Sequence, residues 1–304
     1  MAHSIPSTRI RRTRADVVFD TLNVIFMVLL LVVILYPLWF IVIASVSDSV
    51  AVSQGKALLL PYGFHLTAYQ KVFSDARIML GYRNTLFYTL VGTFLNVFFT
   101  MMLAYPLSRR DFVGRNVIMG ILSVTLFFSG GLIPTYLMYK GLGILNTVWV
   151  MIIPGLVSVY NAILMRTFLQ GLPFELQEAA MIDGCGNFGM LWRVMMPLSV
   201  PILAVMVIYY GVGHWNSYFD ALVFLSDGNL KPLSLILREI LVTSTSNVSE
   251  MKSGGMGESI AEMKRIADAL KYAVIIVSTV PMLLLYPMAQ KHFAKGVMLG
   301  AIKG

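Results

Sequence analysis

The chain has one cysteine, Cys185, which excludes an internal disulfide. Charge is also scarce. Asp, Glu, Lys and Arg make up 12% of the 304 residues, against roughly 25% in ordinary soluble domains. The scarcity is uneven. Residues 21–47, 84–108, 116–139, 141–165, 194–219 and 272–290 hold none of the four. No G-x-x-x-x-G-K-[ST] phosphate loop occurs. Gln54-Gly55-Lys56 is the nearest fragment, and it lacks the first glycine and the hydroxyl residue. H-E-x-x-H and Cys/His clusters are missing, and the four histidines are widely separated, so no zinc ligand set is available. The pore motifs NPA and TVGYG are missing too, which removes the anchors for an aquaporin or a potassium channel. These absences exclude ATP hydrolysis by this chain and predict no catalytic residue and no metal.

The uncharged stretches are apolar, and 58% of the chain is hydrophobic. Each run is at least 19 residues long, enough for about one crossing at 1.5 Å per residue. The pattern predicts an all-α membrane protein with six transmembrane helices; the period-2 alternation of a barrel strand is lacking. The first run, 27 residues, exceeds the roughly 7–15 of a signal-peptide core, so it reads as a retained helix. With the N-terminus inside, 12 basic and 6 acidic residues fall inside, against 11 and 9 outside. The densest basic clusters then lie in short inside segments, as orientation requires. Both termini are expected in the cytoplasm. The net charge of +8 reads as inside loops near anionic lipid, with no nucleic acid partner.

The expected layout is a basic N-terminus 1–18, helix one 19–46, an outer loop 47–83, and a core of helices two to six over 84–291. Within that core lie a cytoplasmic loop 171–197 and an outer loop 220–268, and a tail 292–304 follows. "TSTSNVSEMKSGGMGES" predicts a mobile Ser/Gly-rich stretch, and "SIAEMKRIADALKYA" a helix leading into the last span. Every run carries proline: Pro37, Pro106, Pro134, Pro154, Pro201, Pro281 and Pro287. These read either as ordinary kinks or as helices bent around a pathway.

The inside loop "PFELQEAAMIDGCGNFGMLWRVMMPLSVP" is the anomaly. Pro173 suits a helix start. Glu175 and Glu178 complement the positive end of the helix dipole. Gly184 and Gly186 end the helix. Asn187 is expected to cap a second helix carrying Arg193, closed by Pro197. An interfacial helix would present basic residues to lipid headgroups. This one presents only acids, which suits a basic or mixed protein surface better.

Glu178-Ala179-Ala180, three residues, Gly184, nine residues and Val194-Met195-Met196-Pro197 resemble the EAA loop of ATP-binding-cassette (ABC) importer permeases. Val194 and Met196 replace the usual Ile and Leu. Ile182-Asp183-Gly184 is similar to the carbohydrate branch. "QKHFAKGVMLGAIKG" resembles the ending of maltose-transporter-type permeases, and "FFSGGLIPTY" an oligosaccharide or polysaccharide subgroup. The resemblance spans essentially the whole chain. It implies a MetI-like permease core with an added N-terminal helix in a bacterial cytoplasmic membrane. It also implies a second permease subunit, an ABC ATPase dimer that binds ATP and Mg, an extracytoplasmic solute-binding protein and a carbohydrate substrate. Glu178, Ala179, Ala180, Asp183, Gly184 and Pro197 become the ATPase-coupling residues. A permease for another weakly charged solute, such as a peptide, or a stand-alone carrier are the alternatives.

Sugars are held by aromatic faces and hydrogen-bonding groups. In "IYYGVGHWNSYFDAL", Tyr209, Gly213, Asn216 and Asp220 share a helix face, flanked by Tyr210, His214 and Ser217. Trp215 and Tyr218 read equally as an interfacial belt. Ser129, Gly130, Gly131, Thr135 and Tyr136 form a second candidate, where Gly130-Gly131 and Pro134 loosen or break the helix and expose carbonyls; close packing through small residues is the other reading. Tyr160-Asn161 is a third. His214 is the one ionisable group of the spans, so a strongly charged substrate is disfavoured.

Overall fold

A computed structural model describes residues 13–251 and 269–283. The regular elements among them are helical. The expectations for residues 1–12, for 252–268 (the rest of the Ser/Gly-rich stretch and most of the "SIAEMKRIADALKYA" helix), for Pro287 and for the "QKHFAKGVMLGAIKG" ending lie outside the described residues.

Helix α1 (Arg14–Val46) opens with a capping box, in which the Thr13 backbone N–H donates to Asp16 and the Asp16 N–H to the Thr13 hydroxyl. It runs through Pro37 without a break and buries only Ile43, Ala44 and Ser45. Two short helices follow, α2 (Ser49–Ser53) and α3 (Thr67–Ser74), inside the expected outer loop. Helix α4 (Ala76–Ser108) starts ahead of its uncharged run. Asp75 caps it, accepting from the Arg77 N–H at 2.9 Å and pairing with the Arg77 guanidinium at 2.6 Å. Charges in the first turns therefore belong to the helix, and charge counting placed the boundary too late.

The third uncharged run is not one helix. Helix α5 (Arg115–Phe127) and helix α6 (Leu132–Gly141) meet at 117°. Gly131, at φ +82°, makes the corner. Pro134 falls in the first turn of α6, where its missing N–H needs no partner. The fourth run holds a 3₁₀ turn (Val148–Met151), turns around Pro154 and Gly155, and only then helix α7 (Val159–Gln170). Helix α8 (Phe174–Ile182) precedes α9 (Asn187–Leu198), which bends by 81° into α10 (Val200–Trp215). Pro201 cannot donate to the preceding turn, which accounts for the bend. Helix α11 (Tyr218–Phe224) and helix α12 (Leu233–Met251) follow. Residues 243–251, expected as mobile, are helical. The last described helix is α13 (Ala269–Leu283).

Two described helices, α1 and α4, are long and apolar enough to cross a membrane; the two bent pairs raise this to four. Three buried clusters make the core, and α4 enters each. Ile78 packs with Trp215, Leu233 and Ile236. Tyr88 packs with Tyr139, Ile152 and Phe224. Met101, Ala104 and Tyr105 pack with Met165, Met190, Met195 and Met206.

Candidate functional site

Helix α8 buries no residue completely. Glu175, Glu178, Ala179 and Asp183 are exposed, Ile182 is 86% exposed, and only Ala180 packs onto the methionine-rich cluster. Pro173 stands just before the first helical residue. The helix ends in a Schellman turn. Gly184 N–H donates to Met181 O at 3.0 Å and Cys185 N–H to Ala180 O at 2.9 Å, with Gly184 at φ +75°. Glycine is required there by conformation, since a Cβ would meet nothing within 4 Å.

Asn187 does not cap the next helix; Gly186 stands at that position with no side-chain cap. The Asn187 Oδ1 instead accepts from Arg109 Nη1 at 3.0 Å. Residues Met190–Met195 are wound as a π-helix, with Met190, Leu191 and Met195 buried. Pro197 lies one residue before the end of α9, not at it. At the bend, the buried Ser199 hydroxyl donates to Met195 O at 2.7 Å.

A second feature escaped the sequence reading. One side of α4 is polar and buried: Asn84, Thr85, Thr89, Thr93, Asn96 and Thr100. Near its start, Asn84 Nδ2 donates to Asn229 O at 2.7 Å, and the Tyr88 hydroxyl donates to Leu230 O at 2.8 Å. The Thr85 hydroxyl accepts from Leu233 N–H at 2.8 Å. Midway, Asn96 Oδ1 meets His214 Nε2 at 2.7 Å, and Asn96 Nδ2 donates to Gly155 O. Lower down, the Tyr210 hydroxyl bonds Thr100 Oγ1 at 2.6 Å and accepts from Ser158 N–H at 3.0 Å. Irregular backbone at membrane depth is tolerated only where protein satisfies its polar groups. Asn96 and Tyr210 do this for the non-helical stretch ahead of α7. The signal was present, since 85, 89, 93, 96 and 100 are spaced by three or four residues, one helix face.

The candidate pathway residues separate by depth. Tyr209, Gly213, Asn216 and Asp220 are all exposed, but they do not share one helix face as expected: α10 ends at Trp215, Asn216 caps it, and Asp220 lies on α11. Tyr210 is buried and His214 half-buried behind them. Asn161 is buried in the first turn of α7, where its N–H donates to the Ser158 hydroxyl at 3.4 Å. Tyr210 and the start of α7 thus share one neighbourhood. Ser129, Gly130 and Gly131 are exposed at the α5–α6 corner. The Thr135 hydroxyl donates to Gly131 O at 2.7 Å, and Tyr136 stacks on Phe224 at 6.3 Å. No hydrogen bond among the described residues joins this corner to 209–216. No group of three or more His, Cys, Asp or Glu lies together among the described residues.

No family model matches the chain. Individual proteins do. The chain is 37% identical over 292 residues to protein LplC of Bacillus subtilis (strain 168), covering 96% of this chain and 97% of that protein. It is 37% identical over 286 residues to the polygalacturonan/rhamnogalacturonan transport system permease protein YtcP of the same organism, covering 94% and 98%. A crystal structure of a bacterial ABC transporter involved in the import of the acidic polysaccharide alginate superposes with a TM-score of 0.82 at 30% identity, covering 93% of this chain and 99% of that one. The chain belongs to the permease subunits of carbohydrate ABC importers.

Proposed function

We propose that this chain forms half of the translocation pathway of an ATP-driven importer and receives its drive through the α8–Gly184 segment. The observation that carries this reading is the α8 helix itself, exposed, acidic and closed by a glycine turn. It is a transport subunit; ATP and Mg belong to a partner ATPase. One ATPase of a pair docks on α8, where Glu178 meets a basic residue. A solute-binding protein docks on the opposite side, and a second permease completes the pathway. Nucleotide binding closes the ATPase pair and displaces α8, favouring one permease state over the other.

Six crossings are proposed: α1, α4, the α5–α6 pair, the stretch ending in α7, the α9–α10 pair and α13. Both termini then lie in the cytoplasm of a bacterium, and the chain is multi-pass in the cytoplasmic membrane. Tyr209, Gly213 and Asn216 face the pathway on the exposed side of α10, with Tyr210 and His214 holding that helix from behind and Asn161 buried nearby at the start of α7. The α5–α6 corner, with Ser129, Thr135 and Tyr136, supplies a second polar edge.

The cargo is an oligosaccharide. Two of the similar proteins are named for acidic polymers, polygalacturonan and alginate, which favours a second reading in which the sugar carries carboxylates. The face of α10 offers no cation, so the charge would be met by the partner permease. Uptake competition between neutral and uronate oligosaccharides in the reconstituted complex separates the two.

Replacing Gly184 with Val puts a β-branched residue at positive φ, which costs roughly 1–2 kcal/mol of local strain. The complex is expected to insert and hydrolyse ATP with reduced uptake per ATP. Normal coupling in this variant would remove α8 as the docking element.

A further inference from the structure

The motif residues do not explain how a displaced α8 reaches the body of the permease. The C-terminal end of α4 does. A helix end leaves four carbonyls without intrahelical donors. Here the helix end itself serves two of them and a distant arginine a third. The Ser108 hydroxyl donates to Tyr105 O at 2.6 Å, and Arg109 N–H to Pro106 O at 3.2 Å. Arg166 of α7 donates from Nε to Leu107 O at 2.9 Å. Arg115 of α5 donates from Nη1 to Arg109 O at 2.7 Å.

Arg109 is the centre of this arrangement. Its side chain is 12% exposed. Nε and Nη2 grip Asp111 at 2.8 and 2.7 Å. These bonds hold the Asp111 carboxyl below the usual carboxylate range and raise the guanidinium above its ordinary value. With its fork fixed by Asp111, Nη1 is left to donate to the Tyr105 hydroxyl at 3.0 Å and to Asn187 Oδ1 at 3.0 Å. Tyr105 belongs to α4 and to the methionine-rich cluster. Asn187 begins the helix directly after the Gly184 turn. A neighbouring contact runs parallel: the Arg110 guanidinium lies 5.3 Å over the Phe174 ring at the start of α8.

We infer that Arg109 is a positioning residue for transport, joining the Gly184 turn to α4 through Asn187 and Tyr105. The inference rests on the docking reading of α8. The Asp111 grip orients the guanidinium, a planar fork that lysine cannot reproduce. Displacement of the turn moves Asn187, and the shared Nη1 passes that movement to the end of the helix that enters every core cluster.

The test uses the full complex in proteoliposomes: both permeases, the ATPase pair and the solute-binding protein. ATP hydrolysis and oligosaccharide uptake are measured together. Arg109→Lys is expected to lower uptake per ATP by roughly two- to thirtyfold, with ATPase binding retained. Asn187→Ala is expected to lower the same ratio, and the double variant to be no worse than Arg109→Lys alone, because both break one link. A merely structural role would instead reduce assembly and leave the ratio of assembled complexes unchanged. That unchanged ratio, or effects that multiply in the double variant, overturns the inference. Should Arg109→Lys fail to insert, Asn187→Ala carries the test alone, and a normal ratio there overturns it. Gly184→Val runs alongside: if it alone is impaired, Arg109 is wrong and docking stands, whereas normal coupling in Gly184→Val removes the docking reading and this inference with it.

Discussion

Helices α1 and α4 are both 33 residues long, both apolar enough to cross a bilayer, and each contains one proline. They have opposite relations to the rest of the chain. α1 buries three residues near its end, while α4 buries fifteen along its length. The difference lies in the kind of residue. Between Leu22 and Val42, α1 carries few polar side chains, and these do not line one face. α4 lines one face with Asn, Thr and Gly. Lipid tails are as apolar as leucine, so apolar side chains alone give helices little reason to associate within a membrane. Small residues that permit close approach, and polar groups that find partners, supply that reason. α4 has both: Gly92 sits under the His214 ring and Gly81 against Leu233 and Ile236. α1 has neither along most of its length, so its outer surface is left to lipid or to another subunit.

That contrast can be broken most sharply at Gly92. A leucine there collides with His214 and forces α10 away from α4, an overpacking cost of about 3 kcal/mol. The expected outcome is a large fall in the thermal midpoint of the purified chain in nanodiscs; an unchanged midpoint would mean the two helices are not in close contact. Asn96→Leu comes next. It strips Gly155 O and His214 of their partner and is expected to cost about 1–2 kcal/mol. Adding His214→Leu to it should cost less than His214→Leu costs in the parent chain, read by the same unfolding measurement. Strict additivity would deny the Asn96–His214 link. The smallest effect belongs to α1. Leu31→Ala removes an exposed side chain and is expected to shift the isolated chain by less than about 0.5 kcal/mol. A shift of the same size as Asn96→Leu would put α1 on a par with α4 and dissolve the comparison.

The α8–Gly184 segment is largely legible in the sequence. Its helix, the Gly184 turn and the acids of α8 follow from capping and propensity, which act over a few residues. The errors there are small, and each has a tertiary cause. Local sequence makes Asn187 the cap of its own helix, but Arg109, distant in sequence, takes its side chain. Charge counting found the apolar stretches but mistook their shape. Gly130-Gly131 and Pro134 do signal a break, but neither its 117° angle nor the turns ahead of α7 follow from apolar content, which reports on solvent and not on backbone direction. Tyr210 and His214 illustrate the same limit. On the sequence they flank Tyr209 and Asn216 as equals, yet in the fold they lie behind them, bonded to α4.

Composition and local pattern were enough to specify a helical membrane protein, its uncharged stretches and the acidic glycine-broken loop, since these depend on transfer energies and on backbone preferences within a few residues. Which uncharged stretch became the central helix, and which polar side chains serve structure and which stand free, depended on packing. A buried Asn or Thr is worth its burial only when a partner from another element arrives within hydrogen-bonding distance, and no window of sequence contains that partner.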